Sequence, residues 1–347
     1  KCKGFKIVAA AENGADALEE INLLKPDIVI TDIKMPVMDG IELVSRVKEN
    51  FPFIYSVIVS GYQDFEYARG ALQCGVVDYL LKPVNAGQLK DLLDTIRQKI
   101  ESTRYLKQVE FLGQLINGAP AKQQQIEKHL PFKKYSAAIL RGNGLPSRFS
   151  SNHSEHAEGI RVDFFSAPMS TENNSVWIVE GRDEMERIFI YTPEIISEET
   201  FKRIVINFSK EVNCNYHTTV FASNYFALSD IGENITSLYR LLENNIVIGI
   251  SRTIHHHKQT ASTADNRSII DRTLSSRIEY LVDNGLINDL KKEFIELLER
   301  WQREEKPQIW VESILRQILH RIETSSPPPI VGEYNDMDFL LDEAVFH

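Results

Sequence analysis

A chain of 347 residues is longer than one hydrophobic core usually organises, so two or three domains are expected. Its 39 basic and 49 acidic residues leave a formal net charge of −10, the wrong sign for a surface that wraps nucleic acid by bulk charge. The composition, 43% hydrophobic and 25% charged, is that of a folded soluble protein. Three scattered cysteines, Cys2, Cys74 and Cys214, make neither a disulfide framework nor a zinc site, no apolar run approaches the ~20 residues that span a bilayer, and no signal segment opens the chain, so a cytoplasmic protein without membrane attachment is expected.

The first hundred residues alternate short apolar runs with helical patterns. Strands are expected at Phe5–Ala11, Asp27–Thr31, Ile54–Ser60 and Val76–Leu81, and helices at Ala15–Leu24, Gly40–Glu49, Phe65–Gln73 and Ala86–Lys99. Ile28-Val29-Ile30 and Val57-Ile58-Val59 are apolar on both faces, as parallel strands covered by helices must be. The pattern predicts a doubly wound α/β fold. The last helix outlives it: an apolar stripe runs from Leu89 to Leu115-Ile116 and stops at Asn117-Gly118, with one weak point around Thr103. Such a helix buries its stripe on the next domain or forms a two-stranded seam with a second copy.

From about Pro131 to His256 the texture is α+β. Strands are expected at Tyr135–Arg141, Val162–Ser166, Val176–Glu180, Arg187–Tyr191, His217–Ala222 and Gly249–Ile254, helices at Glu198–Val212 and Ile231–Asn245, and a Ser/Asn/Gly-rich loop at Gly142–Gly159. Past Ala261 everything reads as helix, with apolar positions Ile270, Leu274, Ile278 and Leu281, then Leu290, Phe294, Leu297 and Trp301, then Ile314, Leu315, Ile318 and Leu319. A stiff Ser325–Pro329 linker leads to a short amphipathic tail, Met337–Val345.

The chemistry concentrates in Thr31-Asp32-Ile33-Lys34-Met35-Pro36-Val37-Met38-Asp39-Gly40. Open α/β sheets present ligands at the carboxyl ends of their strands, which is where Asp32 falls. Ser60 and Lys82 fall at the ends of the two following strands. A carboxylate, a hydroxyl and an ammonium converging there suit a nucleophile that accepts a phosphoryl group, with Lys82 meeting its oxygens as a point charge, Ser60 donating a hydrogen bond and a divalent ion screening the two anions.

TDIKMPVMDG, VIVSGYQDFEYARGAL and GVVDYLLKPV resemble the receiver domain of two-component response regulators over residues 1–103. The resemblance implies a flavodoxin-like fold, Asp32 as phospho-acceptor, Ser60 and Tyr79 as switch residues, Lys82 as the phosphoryl-binding lysine, a cis Lys82–Pro83 bond, and Mg²⁺ held by Asp32 and the Lys34 carbonyl. Receivers open with a central strand ending in an acidic pair that completes the metal site. Here Lys1-Cys2-Lys3-Gly4 leads straight into what matches the second strand, so a longer natural protein is expected. Within receivers the likeness is to YesN-type regulators, which implies a sensor histidine kinase as partner, a homodimer, and DNA bound through an AraC-type module not present in this sequence. After a linker helix at 104–130, residues 131–258 are similar to degenerate diguanylate-cyclase-like domains. The glycine-rich hairpin of active cyclases reads here Gly181-Arg182-Asp183-Glu184-Met185, where Arg182 would crowd a nucleotide, so no enzyme activity is expected and a charged structural turn is preferred. Residues 262–347 resemble the helical segment ahead of the DNA-binding module. The alternatives are a regulator acting by protein contact alone and one with a cyclase-like output. His255-His256-His257 cannot all face one ion if they lie on a strand, and Trp177, Trp301 and Trp310 read as core.

Overall fold

The computed structural model describes residues 4–61, 76–120, 122–145, 175–212, 214–255 and 272–325, in two compact units, Lys1–Leu106 and Lys107–His347. The expected helix Phe65–Gln73, the strand Val162–Ser166, most of the 142–159 loop, His256 and His257, and the linker and tail after Ser325 lie outside the described residues.

In the first unit, helix α1 (Gly14–Leu24), strand β1 (Ile28–Asp32), helix α2 (Gly40–Asn50) and strands β2 (Tyr55–Ser60) and β3 (Asp78–Leu81) precede the long helix α3 (Ala86–Ile116). The strands form a parallel sheet in the order β1-β2-β3, the crossover arrangement expected of alternating strands and helices. Consecutive β2 residues point to opposite faces. Ile58 packs with Val44 of α2, Val57 packs with Leu92 and Ile96 of α3, and both β2 residues are fully buried. Side chains cap the first two helices: Asn13 accepts from the amides of Ala15 and Asp16, and Asp39 from that of Glu42.

Two expectations fail here. Phe5–Ala11 is not a strand: it carries no regular structure, and Ile7 and Val8 are exposed. A strand exists through its ladder, and this segment joins none: β1 pairs only with β2, and its outer edge stays unpaired among the described residues. Nor is β1 covered on both faces. Val29 packs with Ile21, Leu43 and Val47, whereas Ile30 on the opposite face is 48% exposed.

The second unit contains the end of α3 from Lys107, then helix α4 (Gln123–His129), strands β4 (Ser136–Gly142), β5 (Val176–Glu180) and β6 (Glu186–Tyr191), helix α5 (Glu198–Glu211), strand β7 (His217–Phe221), helix α6 (Ile231–Glu243) and strand β8 (Arg252–His255). The sheet order is β5-β6-β4-β7-β8, antiparallel except where α6 carries β7 over to a parallel β8. Every residue of the central β4 is buried. Phe201 and Val205 of α5 pack with Ala138, Leu140 and Phe189 of the sheet, and Ile231, Ile235, Leu238 and Leu242 of α6 are buried, with that helix against β4 and β7. Helices α7 (Arg272–Asp283), α8 (Ile287–Arg303) and α9 (Gln308–Ser325) gather around Ile278, Leu297, Trp301, Ile314 and Leu315. Gln308 fastens this bundle to the sheet: its amide brackets Leu145, accepting from the backbone N–H and donating to the C=O, and its own N–H donates to the Ile246 carbonyl. Trp177 and Trp301 are core, as expected, and Trp310 packs beside Trp301.

Candidate functional site

Register places three expected residues at one rim. Asp32 pairs with Val59, and Ser60 pairs with Leu81, the residue before Lys82, so Asp32, Ser60 and Lys82 close three adjacent parallel strands at their carboxyl ends. The Lys82 ammonium donates to Asp32 Oδ2 at 2.6 Å. The other oxygen, Oδ1, accepts from the Ile33 backbone N–H at 2.7 Å. Ser60 is fully buried, and its carbonyl accepts the Lys82 backbone N–H at 2.8 Å. Tyr79, half-buried on β3, packs beside Ile33, Val44, Ile58 and Val76. Lys34 lies exposed in the loop after β1. The Lys82–Pro83 bond is cis.

Exposure decides what the ion pair is for. With 48% of the Lys82 side chain and 35% of the Asp32 side chain open to solvent, it contributes at most about 1 kcal/mol to folding. A carboxylate that open, with an ammonium already beside it, is instead accessible to a reactant brought by another molecule, and the ammonium is placed to meet added negative charge.

The loop behind the carboxylate is built around glycine. A Cβ on Gly40 would sit 2.0 Å from the Asp32 carbonyl oxygen, and the Gly40 N–H donates to the Ile33 carbonyl at 2.8 Å. No other residue fits so close to β1. The sequence string contained this glycine, but its reason lies in the return of the chain onto Asp32.

Sequence reading missed a second polar cluster, at the hairpin between β5 and β6. Arg141, with a side chain 3% exposed, donates to Glu186 at 3.0 Å and to Asp183 at 2.8 Å. Arg182 donates to Glu186 and Glu243, and its guanidinium lies 4.0 Å from the centre of the Tyr239 ring. Burial alone would raise the Glu186 pKa, but hydrogen bonds from Arg182 and the charges of Arg182 and Arg141 hold this carboxyl below its ordinary value. A Cβ on Gly181 would lie 2.7 Å from the Glu186 side chain, so the first hairpin glycine makes room for a neighbouring carboxylate. Arg182, expected to crowd a ligand, is engaged by these protein groups.

Residues 1–94 match the response regulator receiver domain family. With the parallel sheet and the rim just described, these residues form a receiver domain of flavodoxin-like fold. The chain is 44% identical to the transcriptional regulatory protein YesN of Bacillus subtilis over 93 residues, 27% of this chain and 25% of that protein. It is 32% identical to the DNA-binding transcriptional regulator NtrC of Escherichia coli over 115 residues, 32% of this chain and 24% of that protein. Among solved structures, the receiver domain of AraT from Geobacillus stearothermophilus is similar, at 34% identity and a TM-score of 0.28, over 29% of this chain and 78% of that one. The match thus spans about a quarter of each of these curated regulators.

Mg²⁺ prefers near-octahedral oxygen coordination. This site offers the Asp32 carboxylate, whose oxygens are held by Ile33 and Lys82, and the Lys34 carbonyl expected from the resemblance. Among the described residues no group of three His, Cys, Asp or Glu side chains could hold a metal. The residues present do not by themselves make a magnesium site.

Proposed function

We propose that the chain belongs to a two-component response regulator in which Asp32 accepts a phosphoryl group from a sensor histidine kinase. The observation that carries this reading is the 2.6 Å Lys82–Asp32 pair at the open rim of a receiver sheet. An Asp32 oxygen attacks phosphorus, the phosphorus–nitrogen bond of the donor histidine breaks, and the imidazole leaves and takes up a proton from solvent. Lys82 shifts from the carboxylate to the phosphoryl oxygens and offsets about two negative charges. Ser60, at the neighbouring strand end, donates to the new group and Tyr79 follows, reshaping the β3 side of the domain. Receiver domains generally bind Mg²⁺ at this site, and in this protein we assign the Lys34 carbonyl and Asp32 as two of its ligands.

The output is read as transcription control, because the relatives that match over the receiver are transcriptional regulators. DNA contact is assigned to a module outside this sequence, in a cytoplasmic homodimer. The 131–258 domain is read as a degenerate, non-catalytic cyclase relative. What supports this reading is that the Gly181–Met185 turn joins two antiparallel strands and that Arg182 is engaged by Glu186, Glu243 and Tyr239.

In the full-length protein, Asp32→Asn should abolish labelling by acetyl phosphate in the presence of Mg²⁺. Labelling that persists would move the acceptor elsewhere. A gel-shift assay on the labelled protein separates a DNA-binding output from one that works by protein contact alone.

A further inference from the structure

Helix α3 begins in the receiver unit and ends in the second unit. Shortly before the boundary, Glu101, Ser102, Thr103 and Arg104 form an exposed turn, followed by the buried Tyr105. Beyond it the helix is held tightly. Leu112 is fully buried, and a Cβ on Gly113 would touch Val179 of β5 at 3.7 Å, so the helix passes close against this edge strand. Apolar contacts of this kind fix distance but tolerate rotation, being non-directional.

One side chain supplies direction. Gln108 Oε1 accepts from the indole N–H of Trp177 on β5 at 2.9 Å, while its Nε2 donates to the carbonyl of His129, at the end of α4, at 2.7 Å. Trp177 is 1% exposed and packed against Phe132 and Tyr135, and the Phe111 ring, one helical turn after Gln108, lies tilted against the His129 ring. An indole N–H in that setting has little chance of another acceptor, and losing a buried partner is penalised by the full desolvation of the orphaned group. A carboxamide satisfied on both sides in this way accepts one rotational setting of the helix.

We propose that Gln108 is the positioning residue that sets the rotation of α3 on the sheet edge, so that a twist or shift of the helix upstream is read at β5 through the Trp177 indole. The signalling half of this proposal rests on the receiver reading above; the clamp itself does not.

The test is hydrogen–deuterium exchange of the β5 amides, Val176–Glu180, in the full-length protein, with and without beryllofluoride and Mg²⁺ as a phosphoryl mimic. The expected result is a several-fold change in β5 exchange on modification of the wild type, lost in Gln108→Leu although Asp32 is still labelled by acetyl phosphate. A Gln108→Leu protein whose β5 responds like wild type, or a labelled wild type whose β5 does not respond, overturns the proposal. If Asp32 takes no label, the receiver reading fails by itself, and Thr103→Pro decides the clamp. Breaking the helix in its exposed turn should alter β5 exchange with Gln108 present and leave it unaltered in the Gln108→Leu background; equal responses reject it. Should Gln108→Leu not fold, Trp177→Phe removes the same hydrogen bond from the opposite side while keeping an aromatic ring in the core.

Discussion

At the scale of single residues, the loop after β1 combines one obligatory glycine with one strained valine. Gly40 is dictated by its approach to the Asp32 carbonyl. Val37 has a φ of 66° and an 86% exposed side chain, a left-handed conformation that β-branched residues strongly disfavour. No burial offsets it. Val37→Gly should therefore stabilise the receiver unit by about 1 kcal/mol, the relieved strain exceeding the added chain entropy of glycine. Urea unfolding would show it as a raised midpoint, and a lowered midpoint would show that the valine is held by something other than the loop. Asp32, Ser60 and Lys82 were readable because each closes an apolar run, and strand ends in a parallel sheet share one rim. Val37 was not, since nothing local distinguishes a valine in a left-handed turn from one in an extended loop.

At the scale of elements, the β5–β6 hairpin shows what local reading leaves out. As a sequence, Gly181–Met185 is a charged turn. In the structure it is one side of an ionic knot whose other members, Arg141 and Glu243, come from β4 and the end of α6. Glu186 is the hub, with no exposed side-chain area, between two guanidinium groups. Removing it leaves the buried Arg141 with Asp183 as its one carboxylate partner, beside the Gly144 carbonyl, so Glu186→Ala should destabilise the second unit by about 3 kcal/mol. Thermal unfolding of the full chain measures this; a loss below about 1 kcal/mol would mean that the knot behaves like a surface ion pair. The long helix depends on tertiary context in the same way. Its apolar stripe was visible up to Asn117-Gly118, but that its last turns meet an edge tryptophan through Gln108 depends on β5, 69 residues further on.

At the scale of the whole molecule, the buried ionisable groups shape how stability varies with pH. Glu186 titrates below its ordinary value of 4.5 when folded. Its contribution is therefore complete above that pH and is lost as pH falls through the lower folded value. Tyr135, whose hydroxyl donates to the Leu130 carbonyl, is pushed up by burial to about 12 from 10.0. Its contribution is complete below the ordinary tyrosine value and lost as pH rises toward the folded one. Burial also lowers the His217 pKa from 6.5 and raises the Cys214 pKa from 9.0, so a stability profile of the second unit should be flat only between those two values and fall at both ends. Glu186→Gln should flatten the acid limb, and an unchanged acid limb would place the responsible carboxylate elsewhere.

Order along the chain determined much of this protein. Apolar runs of period two and stripes of period 3.6 express the backbone's own geometry, so the alternating unit, the following α+β unit and the closing helices could be placed from them. The rim of Asp32, Ser60 and Lys82 could be placed too, because a parallel sheet aligns its strand ends. Pairing lay beyond that reading. Phe5–Ala11 has the residues of a strand but joins no ladder, and Ile30 has the residue type of a covered face but lies half open. The Arg141–Glu186–Arg182 knot and the Gln108–Trp177 bond belong equally to tertiary structure. A hydrogen bond or buried charge pair takes its energy from a partner brought close in space and shielded from water, and separation along the chain carries no information about either.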